Sequence, residues 1–122
     1  MHTVEFIALE DKDSDLVVSF ALAPQAANSI TLHRTPKYES LLPEEERGVV
    51  VAAGVFGTDD RELLVRIQIN TKDSVASIIS TKRTYELSLA QIEAEDLEDA
   101  VALLHRMNFD SRFVMMSDRA DP

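Results

Sequence analysis

The sequence predicts an α+β fold: a curled, mostly antiparallel sheet of about six to eight strands, arranged mainly as a meander, with one C-terminal helix packed on one face. Three observations lead to this prediction. Apolar residues alternate with a period of two over most of the chain, turn-forming residues separate the alternating runs, and one segment near the C-terminus has helical spacing instead. Strands joined by such short connections pair antiparallel.

Two stretches alternate most clearly. Residues 15–23, "DLVVSFALA", place large apolar side chains on one face and small ones on the other, which is typical of a strand with one face on a core. Residues 62–70, "ELLVRIQIN", alternate through Leu63, Val65, Ile67 and Ile69. The other predicted strands are residues 4–9, 29–33, 49–56, 74–80, 84–89 and 112–116.

One segment has the spacing of a helix. Within residues 95–107, Leu97, Val101 and Leu104 recur on one helical face. Acidic residues crowd the start and basic residues close the end, a polarity that complements the helix dipole. Asn108 can take the left-handed conformation that ends a helix.

Length and composition fit one domain over residues 1–116, with residues 117–122 as a frayed tail. The chain has no cysteine, which excludes disulfides, zinc thiolates and thiol catalysis and suits a cytoplasmic protein. No apolar run approaches the roughly 18 residues of a membrane helix. The start, "MHTVEFIALED", lacks the basic region of a signal peptide.

The expected core combines the alternating apolar residues of the strands with those of the helix face. These residues are Phe6, Leu16, Val18, Phe20, Leu22, Ile30, Leu32, Val65, Ile67, Ile79, Leu87, Leu97, Val101 and Leu104.

Charge is the main global feature of the chain. Twelve Lys and Arg stand against 22 Asp and Glu, giving a formal net charge of -10. Such a chain repels phosphate backbones, so we expect no nucleic-acid binding. It would attract a basic protein partner, although a net charge of this size also simply keeps a protein dispersed.

The stretch "LEDKDSDLVV", residues 9–18, begins like an EF-hand calcium loop, with Asp11, Asp13 and Asp15 at alternate positions. Such a loop needs glycine at its sixth position and a bidentate Glu at its twelfth. Counted from Asp11, these positions hold Leu16 and Leu22, which belong to the apolar face of the next predicted strand. The sequence therefore predicts a hairpin turn here and no metal site.

Other catalytic or cofactor motifs are missing. The histidines, His2, His33 and His105, have no metal-ligand spacing, and His105 fits a cation at a helix C-terminus. The glycines form no phosphate loop, and Gly54 inside a strand pattern suggests a bulge. Asp59 and Asp60 fit a solvated turn. We therefore predict no cofactor and no enzyme, while a triad assembled from distant residues stays open.

The candidate binding residues lie in two acidic regions. Residues 33–49, "HRTPKYESLLPEEERGV", form a long connection that includes a short helical turn starting at Pro43 and ending before Gly48. The alternative is that Leu41 and Leu42 plug the end of the core while the glutamates face water. The helix start is the second region, and there the dipole alone can account for the charges. The candidate residues are Tyr38, Glu44, Glu45, Glu46, Glu95, Glu98 and Asp99.

Two stretches carry a family resemblance. "ITLHRTPKYESLLPEEERGV" contains a strand, a Leu-x-Arg and an acidic run ending near glycine, and "SVASIISTKRTYELSL" is followed by the helix "EDLEDAVALLHRM". In these features the chain resembles a polymorphic-toxin immunity protein family of small, acidic, strand-rich domains with a C-terminal helix. The Tyr-Gly-Gly-like turn of that family is replaced here by "NTKDSVA". The resemblance implies a protein that binds and inhibits a partner, and it transfers no binding residues.

Two hypotheses about function follow. The first is a non-enzymatic module that binds a basic protein surface through acidic side chains, as an immunity protein or similar inhibitor does. The second is a subunit that binds a small ligand inside the curled sheet or pairs through a sheet edge as a homodimer. The small face of residues 15–23, formed by Ser19, Ala21 and Ala23, favours the second hypothesis because it permits close packing by another layer.

Overall fold

The computed structural model describes residues 1–12, 14–26, 28–53 and 62–118 of the chain. This part forms eight strands, one α-helix and two short 3₁₀ helices, and it confirms the α+β fold class. The strands are β1 (His2–Asp11), β2 (Leu16–Leu22), β3 (Asn28–Arg34), β4 (Val50–Ala53), β5 (Leu64–Asn70), β6 (Val75–Ser80), β7 (Thr84–Ser88) and β8 (Val114–Ser117). The helix α1 spans Ala94–Met107, and the 3₁₀ helices span Pro36–Leu41 and Glu44–Glu46.

All eight strands belong to one sheet with the order β4-β3-β2-β1-β7-β6-β5-β8. Strands β1 to β4 form one antiparallel meander and β5 to β7 form another. The two meanders meet where β1 and β7 pair in parallel, and β8 adds to β5 in parallel as well. The predicted, mostly antiparallel meander is therefore confirmed, with two parallel pairs that make the sheet mixed.

The sheet curls so that β4, at the end of the first meander, also contacts the start of β5 in the second meander. The amide of Val51 donates a 2.9 Å hydrogen bond to the carbonyl of Glu62, and the amide of Leu64 donates one of 2.8 Å to the carbonyl of Val49. The start of β5 thus lies beside β4, while the rest of β5 lies beside β8. This contact encloses one face of the sheet, and that face needs an apolar filling.

Helix α1 supplies part of that filling. It packs against β1, β2 and β8, and buries Leu97, Ala100, Val101, Leu103, Leu104 and Met107. These side chains join the inward residues of the strands in one apolar cluster. β-branched and aromatic side chains, such as those of Ile30 and Phe20, pack well on the pleated face of a sheet. Within the described residues no helix is long and apolar enough to span a membrane.

The predicted core is right for most residues but wrong for Phe6 and Val65, whose side chains are exposed. An irregularity between Val4 and Phe6 shifts the register of β1, so Val4 points inward and Phe6 lies opposite Ala21 on the outer face. A second shift, in β5, moves Val65 out of the inward row. A one-residue bulge reverses the side-chain alternation beyond it, which the period-two pattern alone does not reveal.

Two further predicted core residues are only half-buried. Ile79 pairs with Arg66 on the outer face of the sheet, and Leu16 packs at the margin of the core. The inward row of β6 is Ala76 and Ile78 instead, both of which are fully buried.

The helical predictions hold with small changes. Helix α1 starts one residue earlier than expected, and His105 lies in its last turn as predicted. The turn predicted at "PEEER" is the second 3₁₀ helix, which begins after Pro43. Gly48 follows it with φ +131°, a backbone conformation that glycine adopts without strain. The first 3₁₀ helix was not predicted.

Several predictions fall outside the described residues. These are the end of the strand expected at 49–56, the bulge at Gly54, the turn containing Asp59 and Asp60, and the ligand position Asp13. At the C-terminus, β8 reaches Ser117, and Asp118 binds the turn after β5. The tail beyond residue 118 also lies outside the described part.

Candidate functional site

The connection between β3 and β4 contains a 3₁₀ helix whose faces differ sharply. Pro36 starts Pro36–Leu41 with a fixed φ. Residues three apart eclipse each other in a 3₁₀ helix, so Tyr38 and Leu41 share one face while Glu39 lies on another. Glu39 is buried, whereas Tyr38 is 49% exposed and Leu41 is 81% exposed. The turn therefore points a carboxylate inward and an aromatic and an aliphatic side chain outward.

Arg34 holds the inward carboxylate. It continues the inward row of Ile30 and Leu32 at the end of β3, and its side chain is fully buried. Its Nε donates to Oε2 of Glu39 and one Nη donates to Oε1, both at 2.8 Å. This two-bond pairing matches the planar guanidinium to the planar carboxylate and fixes the turn relative to the sheet.

The same guanidinium also binds the C-terminal end of α1. Arg34 donates to the carbonyl of Met107 at 2.7 Å and to both carboxylate oxygens of Asp110 at 2.8 Å. Five N–H groups thus meet five acceptor contacts, which is the full donor capacity of arginine. The ring of Phe109 lies over the guanidinium at 4.1 Å from carbon to ring centroid. Arg34 therefore joins β3, the 3₁₀ turn and the helix end.

These contacts shift the pKa values of the charged groups. Hydrogen bonding to Arg34 lowers the pKa of Asp110 to about 2, with Arg112 adding to the effect and burial opposing it. Burial alone would lower the pKa of Arg34, but hydrogen bonds to Asp110 and Glu39 outweigh it and raise that pKa. Both groups therefore stay charged at neutral pH.

A second arginine, Arg112, bonds the outer part of the connection between β3 and β4 to Asp110. Arg112 donates to Asp110 at 2.7 Å and to the backbone carbonyl of Glu44 at 3.1 Å. The amide of Gly48 lies 3.4 Å from Oε2 of Glu39. Both ends of residues 36–48 are therefore bonded to the cluster around Arg34, and the exposed side chains between them stand on a fixed backbone.

The structure separates the predicted binding residues into two groups. Glu44, Glu45 and Glu46 are exposed in the same connection as Tyr38, and the backbone of Glu44 accepts a hydrogen bond from Arg112, shortly after the end of α1. Glu95, Glu98 and Asp99 are exposed at the other end of that helix. A helix of 14 residues is about 21 Å long, and the two groups lie towards its opposite ends.

The alternative in which Leu41 and Leu42 plug the core is wrong for Leu41. That side chain is among the most exposed apolar groups of the described residues, and Leu42 is half-buried. The core end is closed instead by Arg34 and Glu39. Single exposed apolar side chains are common on protein surfaces, so Leu41 is a candidate contact only together with Tyr38, which is exposed on the same face of the turn.

A second buried carboxylate, Glu62, was not identified from the sequence. Glu62 accepts hydrogen bonds from Ser80 at 2.7 Å and from the hydroxyl of Tyr85 at 3.1 Å, and Arg83 lies 3.5 Å away. Burial and the neighbouring Glu62 carboxylate raise the pKa of Tyr85 to about 12. Such a phenol is a poor acid at neutral pH. The group fits a structural link across the closure of the sheet, where Glu62 also binds β4.

The stretch after β1 is a hairpin turn, as predicted. Lys12 and Asp15 exchange backbone hydrogen bonds of 2.9 and 3.1 Å, and Asp11 pairs with Leu16 in the ladder. Asp15 binds His33 at 2.9 Å, and Asp11 binds Arg106. Both carboxylates therefore have protein partners. Among the described residues, no three metal-ligating side chains are grouped to hold an ion.

Comparison with protein-family models, with curated proteins and with solved structures finds no match to this chain. The functional interpretation therefore depends on the geometry of the residues described above.

Proposed function

We propose that the protein is a non-enzymatic binding module for a basic protein surface. We name the side chains that would make this contact the anchor face, which consists of Tyr38, Leu41, Glu44, Glu45 and Glu46. The observation that carries the proposal is the 81% exposed Leu41 on a turn that is fixed from below by buried Arg34 and Glu39.

The anchor face has the composition of a protein interface. Tyrosine and exposed aliphatic side chains supply area that becomes buried on binding, and charged groups suit the rim. Because the backbone is already bonded to the sheet and the helix, less conformational entropy is lost on association. The three glutamates of the anchor face, within a chain of net charge -10, would steer a basic partner and speed its encounter.

An inhibitor of the immunity-protein kind would need these properties and no catalytic group. A cytoplasmic location is part of the proposal and is supported by the absence of cysteine from the sequence. The described carboxylates that are buried, Glu39 and Glu62, are bonded to protein donors, which fits structural roles.

The test is a tagged pull-down from native lysate, eluted in steps of rising salt and identified by mass spectrometry. Wild-type protein should retain one stoichiometric basic protein that leaves at moderate salt, because exposed ion pairs are screened. Leu41→Ser should reduce its affinity about tenfold, the effect of losing one buried leucine contact. The matched control is Val65→Ser, which removes an exposed aliphatic side chain from the outer face of β5.

Charge reversal separates the two acidic regions. Changing Glu44, Glu45 and Glu46 to lysine should slow association with the captured partner. Changing Glu95, Glu98 and Asp99 to lysine alters the net charge equally but at the far end of α1. If the second set slows association as much as the first, the partner does not bind at the anchor face. If changing Glu44, Glu45 and Glu46 to lysine leaves the association rate unchanged, the partner does not bind at the anchor face either.

The competing proposal is a homodimer that pairs through a sheet edge. It is favoured by β8, which lies at one end of the strand order and exposes Val114 and Met116. The small-ligand form of this alternative has less support, because helix side chains pack inside the curl. A solution mass equal to one chain at every concentration would count against the dimer.

A further inference from the structure

We propose that Phe109 is a docking site for an arginine side chain of the basic partner. This inference rests on the proposed function and names the chemistry that the partner would present. Its basis is an exposed aromatic ring that already stacks on a buried guanidinium and lies beside an excess of carboxylates.

One face of the Phe109 ring is occupied by Arg34. Arg34 lies 4.1 Å from its centroid and is itself fully buried, so the ring covers the guanidinium from outside. The residue is nevertheless 59% exposed. Since Arg34 lies against one face, a partner side chain would contact the ring at its other face or its edges. Aromatic faces carry the negative part of the ring quadrupole and attract cations.

The charge around the ring favours a further cation. Arg34 and Arg112 are the two cations of the cluster, and they are bonded to three acidic residues, Glu39, Glu44 and Asp110. Two positive charges against three negative charges leave the cluster with a net charge of -1. A second guanidinium on the outer face of Phe109 would be repelled by Arg34 beneath the ring, and the three carboxylates of the cluster would offset that repulsion.

The site is linked to the anchor face through bonded side chains. Asp110 follows Phe109 in the chain and binds Arg112, which in turn lies 3.6 Å from the carboxylate of Glu44. Glu39, on the other side of Arg34, lies between Tyr38 and Leu41 in the 3₁₀ helix. A basic surface that contacts Leu41 and the glutamates would thus also reach Phe109. Arginine suits this position better than lysine because its plane stacks on an aromatic face while its edge donates to carboxylates.

The experiment uses the full chain and a short arginine-rich peptide as probe. An otherwise identical peptide with citrulline in place of arginine keeps the shape and removes the charge. Binding is followed by NMR through the ring protons of Phe109, with Phe6 as an internal reference because it is also exposed, at 52%, but lies on β1. The arginine peptide should shift the Phe109 signals, and the citrulline peptide should not.

Matched variants make the result quantitative. Phe109→Leu keeps an apolar cover over Arg34 but removes the aromatic face, and it should weaken the arginine peptide about two- to fivefold. Phe6→Leu should leave the affinity unchanged. Circular dichroism would verify that both variants are folded.

The outcomes also distinguish this inference from the proposed function. One outcome is that Phe109→Leu binds the arginine peptide like wild type, while changing Glu44, Glu45 and Glu46 to lysine abolishes its binding. This outcome would support the anchor face and overturn the arginine site at Phe109. Equal binding of the citrulline peptide would overturn it too. If the arginine peptide binds wild type, and neither Phe109→Leu nor the lysine substitutions of Glu44, Glu45 and Glu46 change its affinity, both proposals are overturned.

Discussion

The carboxylate of Asp110 receives two 2.8 Å hydrogen bonds from Arg34, although 76 positions separate the two residues in the chain. Arg34 ends β3, and Asp110 follows the end of α1. Their contact therefore connects the first meander of the sheet to the C-terminal helix. Because Glu39 and Met107 occupy the remaining donors of Arg34, the group is fully committed to this structural link and has no donor left for a substrate.

Arg34→Met should destabilise the protein strongly. The change removes a buried cation and leaves the Glu39 carboxylate, whose side chain is only 10% exposed, without its partner. Breaking one side of a buried pair costs about 3 to 5 kcal/mol, so the free energy of unfolding measured with urea should fall by that order.

The control for this prediction is Arg106→Met. The Arg106 side chain is 56% exposed and pairs with Asp11 at the surface, so its loss should cost about 1 kcal/mol or less. The double variant Arg34→Met, Glu39→Leu should recover part of the lost stability, because it removes the unpaired carboxylate as well. Equal losses for Arg34→Met and Arg106→Met would show that the cluster is not important for stability.

Low pH should weaken the contact between Arg34 and Asp110. The pKa of Asp110 falls from its ordinary 3.8 to about 2 in the folded protein, so its contribution is complete above pH 3.8 and disappears as the pH drops through 2. The side chain is partly exposed, and solvent screening limits the effect to about 1 kcal/mol. Urea unfolding of wild type and Asp110→Asn between these pH values should converge as the pH falls. A constant difference between the two proteins would contradict the prediction.

Local patterns predicted the strands well because each strand has an apolar face with a period of two. They failed at Phe6 and Val65, where a bulge in β1 or β5 reverses the alternation. A bulge depends on pairing with a neighbouring strand, and the sequence of one strand alone contains little information about that pairing.

The candidate site was predictable only in part. The length of segment 33–49 makes it a candidate from sequence, and Glu44, Glu45 and Glu46 are exposed there, whereas Glu39 is buried. The role of Arg34 was missed, although one signal was present: it continues the inward row of Ile30 and Leu32. A charge on an apolar face requires a buried partner. Nothing in the sequence identifies Asp110 as that partner, because their proximity depends on how α1 packs against the sheet.

Tyr85 should ionise at an unusually high pH. Its burial and its hydrogen bond to Glu62 raise its pKa to about 12. The chain has two tyrosines, so Tyr38→Phe leaves Tyr85 as the sole phenol for titration by ultraviolet absorbance. A raised pKa means that the stabilising contribution is complete below pH 10 and is lost as the pH rises towards 12. Ionisation near pH 10 while circular dichroism still reports a folded chain would contradict this prediction.

Asp118 should control the attachment of β8. Its carboxylate accepts hydrogen bonds from the amide and hydroxyl of Thr71, at 2.9 and 2.8 Å, and from the amide of Lys72 at 3.2 Å. The bonds from Thr71 and Lys72 lower the pKa of Asp118, and they fasten the end of β8 to the turn after β5. Asp118→Ala should therefore speed amide hydrogen exchange in Val114–Ser117 several-fold, because end strands open by local unfolding. Exchange in the central strand β2 should stay at the wild-type rate, since β2 lies far from this edge in the strand order. Equal acceleration in β2 and β8 would mean that Asp118 stabilises the whole fold, and unchanged exchange in β8 would mean that pairing with β5 alone holds the strand.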